Sequence, residues 1–396
     1  AGSAGTGWSP CVRRRSQGPP AWKVLVGGPS LFALPYDAAF CAALAAAGAE
    51  VTLVGRPLRA EESLPAAGFA HLPLFYARSE RPGGAGRWHK GLEHGLGLRA
   101  LAALVRREKP DVVHLQWLVL PLLDALGHAA IARHAPLVLT AHNTVPFHGA
   151  AAPLQRLGHD RALHGFAHYV THTEPTARHL VRLGIPAERV TVLPHPPLAL
   201  PVAPPAGPRP PGPPRILLFG ALKPYKGVDV LVAAALELAR RGRDCHVTIA
   251  GRPFMDLAPL EAEVAAAGAR DRFTFDARFL PDADLAAHLA AADILVFPYR
   301  EIDASGALAL AAGRGKPIVA SAVGVFAERP AADHLLLVPP GDARALAGAL
   351  ERLILTPEER SLRGQLARRL GDALPGWPAF AERCLAIYAG LARGRR

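Results

Sequence analysis

A chain of 396 residues that is 50% hydrophobic and 20% charged lies near the globular average, which excludes a disordered, fibrous or disulfide-scaffold protein and sets an expectation of two domains. Lys and Arg number 45 against 33 Asp and Glu, a formal charge of +12 that would attract phosphates, nucleic acid or an anionic membrane, although a solvated basic surface gives the same sum. No run approaches the roughly 20 apolar residues of a membrane span, and cysteines at 11, 41, 245 and 384 form no CxxC pair; neither a zinc site nor a disulfide framework is suggested, and a reducing cytoplasm fits.

Residues 1–21 begin without Met, carry Arg13-Arg14-Arg15 and lack a signal-type apolar core, so they read as a disordered leader or a cloning remnant. From Trp22 the pattern changes. Lys23–Val26 is predicted as a strand, Gly27-Gly28-Pro29-Ser30 as a loop, 36–47 as an Ala-rich helix stopped by Gly48, and Val51–Val54 as a second strand. Further strands are predicted at 112–115, 137–140, 168–171 and 190–193. Eleven of the 21 residues from Pro194 to Pro214 are proline, a density that only an extended connector tolerates, so the domain boundary is placed there. The pattern then restarts with strands at 216–219, 247–250, 273–275, 294–297 and 318–320 and helices at 228–240, 282–291, 342–353 and 377–391. The expected fold is α/β, with a doubly wound parallel-sheet domain over 22–193, a linker at 194–214, a second such domain over 215–376, and a last helix within 377–396 crossing back to the first.

Two segments carry chemistry. Phe219-Gly220-Ala221-Leu222-Lys223-Pro224-Tyr225-Lys226-Gly227 joins a strand to a helix, offering two cations beside a helix N-terminus as a cradle for a diphosphate. It lacks the order of a Walker A loop, and two solvent-exposed lysines on an ordinary turn are the alternative. Glu301-Ile302-Asp303-Ala304-Ser305-Gly306 sets carboxylates just after a strand and before a small-residue helix, suited to sugar hydroxyls; plain helix caps are the alternative.

Together with Pro110-Asp111-Val112-Val113-His114, Thr140-Ala141-His142-Asn143, Leu183-Gly184-Ile185-Pro186, Lys226-Gly227-Val228-Asp229, Ile249-Ala250-Gly251, Ala291-Ala292-Asp293-Ile294, Gly315-Lys316-Pro317 and Leu337–Asp342, these segments resemble, in order and spacing, the retaining nucleotide-sugar glycosyltransferases of family 4. The resemblance covers nearly all of the chain from residue 22. It implies a GT-B fold with the active site in the cleft between domains, and retaining hexosyl transfer from a UDP- or GDP-sugar to a glycan, a lipid-linked glycan or a small-molecule hydroxyl. It also implies catalytic roles for His142, Lys223, Lys226 and Asp303, and donor contacts at Gly27, Gly28, Gly220, Gly227, Gly251, Arg278, Glu301, Ser305, Gly306 and Ala307. No metal and no cofactor is expected, because the two ammonium groups would answer the departing diphosphate, and the departing phosphate would take the acceptor's proton.

Two departures from the family pattern matter. Ala221 stands where the family carries Arg, so Lys223 would take over a phosphate contact. The second Glu of the family's Glu-x7-Glu signature falls on Ala311 or Leu310, which leaves ribose recognition and the identity of the donor open. His114, His148, His172 and His195 receive no catalytic assignment.

On the acceptor side, the stretch 78–99 reads as a basic, aromatic-bearing loop, either solvated or meeting a lipid-linked diphosphate at an anionic membrane, with Leu98 to Arg107 lying amphipathically on that surface. A cytoplasmic enzyme, peripheral at the inner face of the membrane, would fit. A nucleic-acid binder is the first rival, but it predicts clustered aromatics and only 6% of the residues are aromatic. A catalytically inactive sugar-nucleotide-binding or scaffold subunit is the second, suggested by the missing carboxylate.

Overall fold

A computed structural model describes residues 22–60, 62–81, 87–142, 158–200 and 212–393; the leader, Asn143, His148 and most of the proline-rich connector lie outside the described residues. Strand β1 (Lys23–Gly28) is buried from Val24 onward, as a central strand covered on both faces must be. Helix α1 (Leu34–Ala46) carries Pro35 at its second position, where a missing N–H costs nothing, and Gly48 follows its end at φ +91°. Strands β2 (Glu50–Gly55), β3 (Ala70–Pro73), β4 (Val112–Leu115), β5 (Leu137–Ala141), β6 (His168–Thr171) and β7 (Val190–Val192) complete a seven-stranded sheet in the order β3-β2-β1-β4-β5-β6-β7, parallel throughout.

The second sheet consists of β8 (Arg215–Phe219), β9 (His246–Ala250), β10 (Phe273–Asp276), β11 (Ile294–Phe297), β12 (Ile318–Ser321) and β13 (Leu336–Val338), in the order β10-β9-β8-β11-β12-β13 and again parallel. In both sheets the strand order reverses beside the first strand of the domain, at β1/β4 and at β8/β11. Ligands of open α/β sheets bind outside the carboxyl ends of strands at such a reversal. Gly27-Gly28 and Gly220 stand at those two points.

Helix α2 (Arg87–Glu108) corrects the expectation for this region. Residues 87–99 are helical rather than loop, and Leu98, Leu101, Leu104 and Val105 are buried against Leu25, Val54 and Phe75 instead of facing a membrane. Glycines at 91, 95 and 97 concealed the helix from pattern reading. Gly97 has a packing reason, since an added Cβ would lie 2.6 Å from Cε1 of Phe75. Strands β3 and β13, short and only partly buried, were not anticipated either.

Helix α3 (Pro121–Ala132) packs beside α2, joined to it by a buried hydrogen bond between His94 and Asp124 (2.7 Å). Helices α4 (His159–Leu163) and α5 (Glu174–Arg182) finish the first domain, and α6 (Val228–Arg240), α7 (Ala258–Ala266), α8 (Asp282–Ala291), α9 (Gly306–Ala311), α10 (Ala331–His334), α11 (Ala343–Leu355) and α12 (Pro357–Ala373) wrap the second. The last helix, α13 (Trp377–Arg393), buries Phe380, Cys384 and Tyr388 in the cluster that holds Val24, Phe40 and Leu44 of the first domain. The Tyr388 hydroxyl lies 2.6 Å from His114 Nδ1, and Trp377 Nε1 donates to the Pro197 carbonyl at 2.9 Å. Cys41, Cys245 and Cys384 are buried free thiols. No helix among the described residues is long and apolar enough to cross a membrane.

Candidate active site

The second domain supplies the charged wall. After β8 the chain passes Gly220, turns through a single 3₁₀ turn at Pro224–Lys226, and enters α6 through Gly227 in the left-handed region at φ +66°. A side chain at Gly227 would overlap the Pro298 carbonyl oxygen, and one at Gly251 would overlap the Gly220 carbonyl oxygen, so the loops after β8, β9 and β11 meet backbone to backbone. That close approach buries Lys226, which is only 7% exposed. Its ammonium sits 3.4 Å from the Phe219 carbonyl oxygen and 5.1 Å from the centre of the Tyr299 ring, and among the described residues no carboxylate pairs with it. Burial, with a smaller push from Lys223, lowers its pKa to about 7. Lys223 is half-buried and also shifted downward by burial; its ammonium lies 5.6 Å from the Phe254 ring.

The first turn of α6 carries an acid of its own. Asp229 is held low by Arg300, which binds it through two contacts of 2.6 and 2.8 Å, and by the amides at 229 and 230. Those amides being engaged, the ammonium groups form the larger part of the positive surface. Arg300 also donates its backbone N–H to the Tyr225 carbonyl (2.7 Å), tying the loop after β11 to the lysine turn.

Asp303 is partly exposed, its carbonyl accepting from the Val325 amide at 3.1 Å, and Glu301 is exposed. Ser305 caps α9, its hydroxyl accepting from the Leu308 amide at 3.1 Å, so that side chain is a helix cap; Gly306 and Ala307 open the same helix. Ala311 is fully buried and Leu310 half-buried, both apolar, leaving no carboxylate at either place. Arg278 stands just past the edge strand β10, two strands from β8, with its guanidinium paired to Asp276 and Asp284 at 2.8 Å each. The Asp282-Ala283-Asp284 triplet, the chain's one Asp-x-Asp sequence, lies in the first turn of α8, and its second carboxylate is the one engaged by Arg278.

The first domain contributes a neutral wall. His142 follows β5 and is buried; it donates from Nε2 to the Gln116 side-chain carbonyl (3.0 Å) and stacks on Trp117 with ring centres 4.6 Å apart. Burial, then the neighbouring His172 and His195, hold its pKa well below the usual histidine value, so it is an uncharged imidazole at neutral pH. His172 and His195 each bind a backbone carbonyl through Nδ1, at 2.9 and 2.7 Å, which pins them as framework. An added Cβ on Gly28 would lie 2.9 Å from Oδ2 of Asp37, a wholly buried carboxyl pushed up to about 8 by burial.

Three aromatic contacts bring the walls together. Lys223 Nζ lies 4.9 Å from the Phe32 ring of the first domain, Phe32 meets Trp117 edge-on at 5.4 Å, and Trp117 carries His142. These contacts join Lys223 of the second domain to His142 of the first, and Gly220, Lys226, Gly227 and Gly251 belong to the loops that meet at the lysine turn, whereas Asp303 lies by Glu328 and Val325 and Arg278 stands aside. Sequence reasoning missed Phe32, Gln116, Trp117 and Glu328. Glu328 accepts from the Glu174 amide across the cleft (3.2 Å), and its pKa is raised by burial, with Asp303 adding to the effect. The available signal was position, since Gln116-Trp117 directly follow β4 and Phe32 lies in the loop after β1, the two strands at the reversal.

Comparison with known proteins agrees with this architecture. Residues 35–196 match the family described as "Glycosyl transferase 4-like domain" and 213–356 the one described as "Glycosyl transferases group 1". The chain belongs to the family 4 glycosyltransferases of the GT-B fold. Alpha-D-kanosaminyltransferase of Streptomyces kanamyceticus is 31% identical over 180 residues, 44% of this chain and 45% of that protein. MMP alpha-(1->4)-mannosyltransferase of Mycolicibacterium hassiacum is 31% identical over 177 residues, 44% of this chain and 42% of that protein. The matches therefore span less than half the length of these relatives. Sucrose-phosphate synthase from Thermosynechococcus elongatus has the same fold, with a TM-score of 0.74 at 20% identity over 94% of this chain and all of that one. Anabaena HepE in complex with UDP and glucose has a TM-score of 0.65 at 15% identity over 93% of this chain and all of that one.

Proposed function

We propose that the protein is a metal-independent glycosyltransferase that moves a hexosyl group, with retention, from a UDP- or GDP-sugar to the hydroxyl of a glycan, lipid-linked or small-molecule acceptor. The observation that carries this reading is the Lys226 ammonium, buried at a sheet reversal with no carboxylate beside it among the described residues. A buried cation without a counterion costs free energy unless an anion is to arrive. A pyrophosphate fits that need.

During transfer the bond from the anomeric carbon to the diphosphate oxygen breaks, and negative charge gathers on the leaving group. Lys226 and Lys223, preorganised and partly desolvated, stabilise that charge. The new bond forms between the anomeric carbon and the acceptor oxygen, whose proton passes to the departing phosphate. Asp303 receives hydroxyls of the sugar from the second domain, and neutral His142, its Nε2–H held by Gln116, presents Nδ1 from the first. Holding an uncharged imidazole there leaves the sugar unopposed as positive charge builds on it. The apolar pair Leu310 and Ala311 supports a second reading, binding of a sugar nucleotide without turnover.

Calorimetric titration with UDP, GDP and ADP at about pH 8.5, in buffers of different protonation enthalpy, tests the cradle. Free Lys226 is largely neutral there, so binding a diphosphate should take up close to one proton, and binding should weaken as pH rises. Tight binding with no proton uptake removes Lys226 from the phosphate site. Transfer assays on a panel of nucleotide sugars, with and without chelator, then separate an enzyme from a binding subunit.

A further inference from the structure

Between α2 and α3 lies a buried polar chain that the transfer chemistry leaves unused. Tyr76, His94 and Asp124 are all buried. The Tyr76 hydroxyl stands 2.6 Å from His94 Nδ1, and His94 donates from Nε2 to Asp124 Oδ1 at 2.7 Å. Burial pushes the Asp124 carboxyl up, but the hydrogen bond from His94 and further contacts, the Val119 amide among them, hold it below the usual carboxylate value, so it is ionised. Its second oxygen turns the other way: Oδ2 accepts from the amides of Val119 and Leu120, at 2.7 and 2.9 Å. Leu120 is the N-cap of α3 and brings no side-chain cap of its own. Those two amides close the loop 116–120, which opens where the Gln116 amide donates to the Gly27 carbonyl at 2.9 Å. The loop is thus pinned at both ends, and between the pins stand the Gln116 side chain, which accepts from His142, and Trp117, which stacks on it. At the far end of the chain Tyr76 holds a left-handed backbone at φ +55°, which a bulky residue adopts only where its surroundings enforce it.

We propose that Asp124 is a positioning residue for transfer, fixing through the amides of Val119 and Leu120 the loop whose Gln116 and Trp117 hold His142. Joining two helices does not need a carboxylate. Apolar side chains of similar volume often do so with no loss of stability, because a buried ion must first be stripped of water. What a carboxylate adds is reach in two directions: one oxygen for His94, the other for two amides that the start of a helix leaves without partners. His94, held between the Tyr76 hydroxyl and Asp124, sets where that carboxylate stands. A shift of the loop carries Gln116 and Trp117 with it, and His142 then loses the hydrogen bond that decides which of its nitrogens bears the proton. That the hold serves transfer rests on the transferase reading, whereas the hold itself does not.

The test compares Asp124→Leu with Asp124→Asn in the full chain. Asparagine keeps an oxygen for the two amides and an N–H for His94, which needs only to exchange tautomers; leucine keeps neither. With the tryptophan indole nitrogens labelled for magnetic resonance, the Trp117 signal, recognised by its absence in Trp117→Phe, should move in Asp124→Leu and stay in place in Asp124→Asn. In transfer assays Asp124→Leu should lower kcat by roughly 10- to 100-fold, the scale of a small misplacement at a reacting centre, while Asp124→Asn stays close to wild type. Calorimetric affinity for UDP or GDP, whichever the wild type binds more tightly, should be the same in all three, because the proposed phosphate site belongs to the second domain. Should Asp124→Leu not fold, Asp124→Ser carries the same comparison, its hydroxyl ending one bond short of the carboxylate oxygens. An unmoved Trp117 signal in the leucine or serine variant, a moved signal with wild-type kcat, or a loss in Asp124→Asn as large as that in Asp124→Leu would each overturn the proposal. A wild type that binds nucleotide and transfers nothing overturns the transferase reading instead, and the Trp117 signal then decides by itself whether Asp124 holds the loop.

Discussion

The two carboxyl-edge surfaces that face each other across the cleft solve opposite electrostatic problems. The second domain buries a cation, Lys226, with no carboxylate beside it among the described residues, and sets a second, Lys223, half-buried nearby. On the first domain the same burial keeps two groups near the reversal uncharged: His142 is pushed far down and Asp37 up to about 8. Desolvation disfavours whichever form is charged, so one force yields opposite shifts for base and acid. The contrast teaches that, on the proposed reading, one wall would answer the diphosphate while the other would leave a sugar that gathers positive charge free of cations.

Removing the charged half should have the largest effect. Lys226→Ala is expected to lower kcat by about 100- to 1000-fold, the range for loss of one preorganised donor, with circular dichroism and melting temperature close to wild type. Near-normal turnover would break the comparison, since it would mean that the second wall's charge is incidental. The pH profile sharpens it: kcat/KM should fall as pH rises through about 7, where free Lys226 loses its proton. His142, displaced well below that range, should contribute no inflection between about pH 6 and 8.

The neutral half makes a stability prediction. Asp37 sits in the first turn of α1 with both carboxyl oxygens buried and unpartnered among the described residues, and it keeps its proton up to about pH 8. An unfolded chain releases that proton near 3.9. Between the two values the unfolded state binds fewer protons, so stability is fullest below about pH 4 and falls as pH rises toward 8. Histidines and Lys226 act in the opposite sense over parts of this range, so the measurement is the wild type minus Asp37→Asn, by denaturant unfolding across pH. That difference should slope downward by as much as about 1.4 kcal/mol per pH unit. A flat difference would show that Asp37 is ionised in the fold and that the first wall is not neutral.

How far these walls could be read in advance depended on sequence distance. The runs Ile294–Phe297 and Val112–Leu115 are bounded by helix stops and turn residues, so the strands and their alternation with helices were plain. The lysine turn was legible because its parts lie within nine residues, and the vacancy at 310 and 311 could simply be read off. The burial of Lys226 was not legible, since lysine is rarely buried and the cause is the approach of Pro298 to Gly227 from a distant loop. The Phe32, Trp117 and His142 contacts join three loops that share no local pattern. Helix α2 was hidden by glycines, whose penalty in a helix interior is outweighed here by burial of Leu98, Leu101, Leu104 and Val105.

The smallest expected effect concerns what aims the charged wall. Arg300 and Asp229 form a two-point ion pair that is nearly half exposed, 43 and 44% by side chain, and such pairs contribute only about 0.2–1 kcal/mol to stability. Its geometric consequence is larger than its energy, because Arg300 bridges the loop after β11 to the turn that carries Lys226. A double-mutant cycle of Arg300→Gln and Asp229→Asn, measured by denaturant unfolding, should therefore give a coupling within that range. The same cycle measured on kcat should give a larger one, since misplacing Lys226 weakens its interaction with the transition state. Equal coupling in both would mean that the pair only glues two loops together, and that the lysine finds its place without it.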